Sequence, residues 1–212
     1  MAKNTTLSLN YPCFEKELCC GEVVATSLVT IILAFWPQKK ICFGNVVLIQ
    51  NEQEPLVGVV TELWQEAKEP SRQIIPLQLS PLELQETYPH LASLMTNQAK
   101  IIIVGKYDNK NEVFSFLQPG TCPMLHAWAK DITNIPSNQP LPFLKLLEKI
   151  ASENTDPSLK ESLFQAIALQ LFKHQKNIQR TIIDNLYHLS EKVFCGDFFK
   201  IAAFFTELEK YL

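Results

Sequence analysis

Twelve of the 13 prolines and five of the six glycines lie at or before Pro142; only Pro157 and Gly196 lie beyond it. Proline fixes φ and donates no backbone hydrogen bond, and glycine opens turn conformations, so the first part can hold only short elements. The last 70 residues carry only those two and are free to be helical. The partition predicts an α+β protein, with a small N-terminal β-barrel over 1–135 (core 20–130) and an all-helical domain over 140–212. The boundary falls at ITNIPSNQPLP, where Pro136, Pro140 and Pro142 exclude a continuous helix and Ser137 and Asn138 suit a turn.

A chain of 212 residues buries about 70% of its unfolded surface on folding and needs no disulfide or metal to hold a core. Its 19 basic and 22 acidic residues give a formal net charge of −3, which disfavours a strongly cationic nucleic-acid or membrane binder. The run Val23 to Trp36 is 14 residues long, short of the roughly 20 that span a bilayer, and it is rich in β-branched residues. It predicts a buried strand pair, and no membrane association is expected.

Apolar, β-branched runs predict strands at 22–26, 29–34, 46–50, 56–64, 73–78, 101–107 and 113–117, a set that suits a small barrel. Ser80-Pro81 predicts one interrupting helix, with a break at Tyr88-Pro89. In the second part, Pro142 starts a helix through Ile150, and Asp156-Pro157 starts another through His174. Ile178, Ile182, Ile183, Leu186, Leu189 and Val193 form the stripe of a third. Gly196 ends that helix and Asp197 caps a fourth, which turns Ile201, Phe205, Leu208 and Leu212 to one face.

Motifs for chemistry are lacking. Gly105-Lys106 has no glycine five residues upstream and Tyr107 where a P-loop needs Ser or Thr, and six scattered glycines cannot form a dinucleotide loop. The six cysteines (Cys13, Cys19, Cys20, Cys42, Cys122, Cys195) contain no CxxC pair and are read as reduced thiols of a cytoplasmic protein. His90, His126, His174 and His188 form no metal-ligand pair. Cys122 and His126 are the one nucleophile–base pair that can be drawn, without a supporting nucleophile motif. No catalytic residue, metal ligand or cofactor is assigned. Two surfaces are of interest. Phe198, Phe199, Phe204, Phe205 and Tyr211 crowd the last helix on more than one face and are candidates for partner binding. Lys39, Lys40, Lys106 and Lys110 fall at loops or strand ends and are candidate phosphate contacts.

The segment from Gly21-Glu22-Val23-Val24 through Phe43-Gly44-Asn45-Val46-Val47 to Gly58-Val59-Val60 resembles the HAS barrel, the amino-terminal β-barrel of HerA-type ATPases. Ile101 to Tyr107 and Phe116-Leu117-Gln118-Pro119-Gly120 are similar to its later strands and exit. The resemblance covers about residues 20–130 and implies an oligomerisation and docking collar. The ATPase that follows the barrel in that family is not matched here: about 70 helical residues without a P-loop stand in its place. The barrel of PriA-type primosomal helicases shares the Gly–Val–Val pattern and is the competing resemblance. The expected function is a non-enzymatic protein-binding or oligomerisation module that binds a partner or itself. Nucleic-acid binding by the barrel, in DNA processing, is the alternative.

Overall fold

A computed structural model describes residues 14–52, 54–69, 78–108, 113–115, 122–133, 141–152, 156–174 and 180–211. Seven strands precede residue 132: β1 (Gly21–Thr26), β2 (Thr30–Phe35), β3 (Val46–Ile49), β4 (Leu56–Ala67), β5 (Met95–Asp108), β6 (Val113–Ser115) and β7 (Trp128–Asp131). Helix α1 (Pro81–Thr87) interrupts them, and α2 (Leu141–Ser152), α3 (Pro157–His174), α4 (Arg180–Val193) and α5 (Phe198–Glu209) follow. Among the described residues no strand lies after Asp131, and no helix is long and apolar enough to cross a membrane. The expected boundary, residues 134–140, lies outside the described residues.

Six strands close an antiparallel barrel in the order β1–β7–β3–β4–β5–β2 and back to β1. The β3–β4–β5 meander with β7 returning beside β3 is a Greek key. Strand β6 lies outside the ring and pairs with the end of β5, Tyr107 opposite Phe114. β7 was not among the expected strands: its four residues carry too little pattern, and they become a strand because β1 and β3 each need a neighbour for the ring to close. β5 begins at Met95, six residues before the expected start, because the polar MTNQAK segment is held by β4 along its length and by β2 from Asn97. Of the strand expected at 73–78, only Gln78 is described; it has φ 54° and is not in a strand.

The side chains explain the layers. In β3 all four residues are buried: Val47 and Ile49 point into the barrel with Val23, Leu33, Leu56, Val60 and Ile101, while Val46 and Leu48 face the helices. A continuous apolar run is what a strand covered on both faces requires. Gly58 also faces inward, where a Cβ would come within 2.3 Å of Ile101 Cγ2, so only glycine lets the interior close. On the outer side one cluster joins Val46, Leu48, Val57, Val59 and Ile132 to Leu147, Phe164, Ile167, Leu186, Phe194 and Phe204. Barrel and helices therefore share a core. Where β7 leaves the barrel, Asn45 Nδ2 donates to Asp131 Oδ2 (2.8 Å), Thr133 N donates to Asp131 Oδ1 (2.9 Å) and Val46 N donates to Thr133 Oγ1 (2.8 Å). These bonds pair buried polar atoms at that junction, which would otherwise oppose folding.

Cys20 sits at the barrel end and donates its thiol to the Ala129 carbonyl at 3.2 Å. Burial above all, with the Asp131 charge in addition, pushes the thiol from an ordinary 9.0 up to about 12. The unfolded chain therefore loses this proton first. The stability tied to the neutral thiol is intact below pH 9.0 and drains away as the pH rises toward 12. Above pH 9 the native chain should lose stability faster than Cys20→Ala, by about 1 kcal/mol per pH unit, in urea melts at stepped alkaline pH. Parallel slopes in the two chains would contradict the burial.

Candidate interaction surfaces

Helix α5 separates the expected aromatic set into two groups. Asp197 caps it, its Oδ1 accepting from Phe199 N (3.0 Å) and Lys200 N (3.2 Å). Lys200 Nζ donates to both carboxylate oxygens of Glu161 at 2.8 Å, fixing the start of α5 to α3. From that fixed start, a period of 3.6 turns Ile201, Phe204 and Leu208 inward. Phe204 is 4% exposed and packs its ring 5.5 Å from Phe164 and 5.7 Å from Phe194, so the expectation that it offers a binding surface is corrected: it is core. Phe205 flanks that stripe, half-buried, with its ring 5.8 Å from Tyr187. Tyr211 is engaged by Lys173, whose Nζ lies 5.3 Å above the ring.

Phe198 and Phe199 differ from these. They occupy the first turn ahead of the buried stripe, and they are 70% and 84% exposed. Their rings meet edge to face, 6.2 Å apart, so the pair forms one aromatic knob on a capped helix. Helical spacing places Phe199 opposite Ile201, Phe204 and Leu208, which is why it stays outside.

The candidate phosphate contacts do not converge. Lys39, in the loop after β2, donates to the Glu17 carbonyl at 2.7 Å, with Lys40 exposed beside it. That loop leaves the barrel at Phe35, opposite Asn97 of β5. Lys106 stands nine residues further along β5, roughly 30 Å at strand rise, where Glu54 pairs with it. Lys110 lies outside the described residues. Cys122 and His126 are also kept apart. Cys122 Sγ lies 3.1 Å from Thr26 Oγ1, whereas His126 Nδ1 lies 3.8 Å from Glu22, four residues earlier on the same strand. Among the described residues no three His, Cys, Asp or Glu side chains gather to hold a metal.

Two surfaces were not foreseen from the sequence. Val24, Leu28, Val29, Met124 and Leu125 are exposed where the β1–β2 turn meets the segment before β7. The run Val23 to Trp36 had indicated burial throughout; the signal against it is Leu28, apolar at a turn whose Ser27 Oγ accepts from Thr30 N. The other is a polar cleft between α2 and α4, lined by Lys145, Lys149, His188 and Lys192 among others. No protein-family model and no curated protein matches the chain.

Proposed function

We propose that this chain is a non-enzymatic, cytoplasmic protein-binding module, a barrel and helical body that associates with a protein partner or a second copy through Phe198 and Phe199. The observation that carries the reading is the exposure of two adjacent phenylalanines, 70% and 84%, on a helix start fixed by a cap and an ion pair. Leaving large aromatic side chains in water forgoes roughly 1.5–3 kcal/mol each, and a rigid aromatic anchor is what interface centres use. The closed six-strand barrel supports kinship with the HAS barrel and its collar role. Both phenylalanines are surface residues, so the double change Phe198→Ser with Phe199→Ser should leave the melting temperature nearly unchanged. Light scattering after size exclusion, and cross-linking in the native host, should find the unaltered chain in an assembly from which the double variant drops out. A native chain that is monomeric and cross-links to nothing, or a variant that assembles equally well, would contradict the reading.

A further inference from the structure

Helices α2 and α4 flank, with β6, an open cleft of about 830 Å3 whose described lining includes Lys145, Glu148 and Lys149 of α2, Asn185, His188 and Lys192 of α4, and Ser115. Leu189 and Ala151 add apolar surface. We infer that this cleft binds a small phosphate-bearing anion. Among the described lining residues three lysines stand against one glutamate, in a chain whose net charge is −3. Among the described residues neither the Lys145 nor the Lys192 ammonium has a hydrogen-bond or ion-pair partner, so both are open to an incoming anion. Lysines on helices often answer the negative end of the dipole, and Lys149 and Lys192 do stand in last turns. Lys145 does not: it stands in the amino-terminal half of α2, four residues from Lys149, a like-charge spacing that weakens a helix.

The chemistry of the wall selects the ligand class. Ammonium groups act as point charges suited to phosphate, and the described lining residues supply three of them. Asn185 and Ser115 add neutral polar groups. Inorganic pyrophosphate is the probe, titrated calorimetrically into the full chain at low salt. Saturable one-to-one binding is expected, at least tenfold weaker in Lys145→Ala with Lys192→Ala. It should be retained in Lys16→Ala with Lys68→Ala, which removes equal charge at exposed positions outside the cleft. The proposal is overturned if the native chain shows no saturation, if both double variants weaken binding alike, or if a single-stranded oligonucleotide binds where pyrophosphate does not.

Discussion

Gly44→Val should cost the fold roughly 3 kcal/mol, the sum of a left-handed backbone penalty and an overpacking penalty. Gly44 has φ +80°, a region in which a β-branched residue is strained. A Cβ built there would stand 2.5 Å from Ala166 Cβ on α3. Neither side can give way easily. Gly44 N donates to the Val60 carbonyl at 2.9 Å, and α3 is fixed by Phe164, Ile167 and Ala168, all fully buried. The loop and the helix can be this close only because no side chain intervenes. Chemical denaturation of Gly44→Val, and of Gly44→Val with Ala166→Gly measured against Ala166→Gly alone, which itself costs about 1 kcal/mol in helix propensity, separates the two penalties. The second change should recover the steric part and leave the backbone part. A Gly44→Val chain as stable as the native one would mean that the barrel and α3 do not meet there.

The second large effect is expected at Phe164, which is 0% exposed and packs against Phe194 at 6.1 Å and Phe204 at 5.5 Å. Phe164→Ala removes the centre of this three-ring cluster and leaves a cavity that its neighbours fill only in part. The cost should be about 3–5 kcal/mol. Because Phe164 belongs to the same cluster as Val46, Leu48, Val57 and Val59, this loss in α3 should destabilise the barrel as well.

Much of this architecture was legible from local chemistry. Asp156-Pro157 marks the start of α3: Asp156 Oδ1 accepts from Ser158 N (2.8 Å) and Leu159 N (3.1 Å). Ser80 and Glu83 close a reciprocal capping box at α1, and Tyr88 ends that helix. Helix ends are readable because the residues that satisfy them lie within three or four positions. The elements that escaped depend on distant partners. β7 and the polar start of β5 are strands because the ring needs them, and nothing within their own few residues says so. The surfaces divide in the same way. That Phe199 lies outside follows from its phase relative to Ile201, Phe204 and Leu208; that Phe204 lies inside requires knowing that Phe164 and Phe194 wait for it. The cleft brings α2, α4 and β6 together, and no spacing along the chain announces it.

The central claim is that barrel and helices share one core and fold as one unit. All three tryptophans, Trp36, Trp64 and Trp128, lie in the barrel half, each partly buried, so their fluorescence reports on the barrel. Most of the helix is in the second half, so circular dichroism at the helical band reports on that half. The direct test is urea unfolding followed by both signals, in the native chain and in Phe164→Ala. Superimposable transitions in each chain, with both signals of the variant shifted together to lower urea, are the predicted result. A variant whose helical signal shifts while its tryptophan transition stays in place would contradict the shared core.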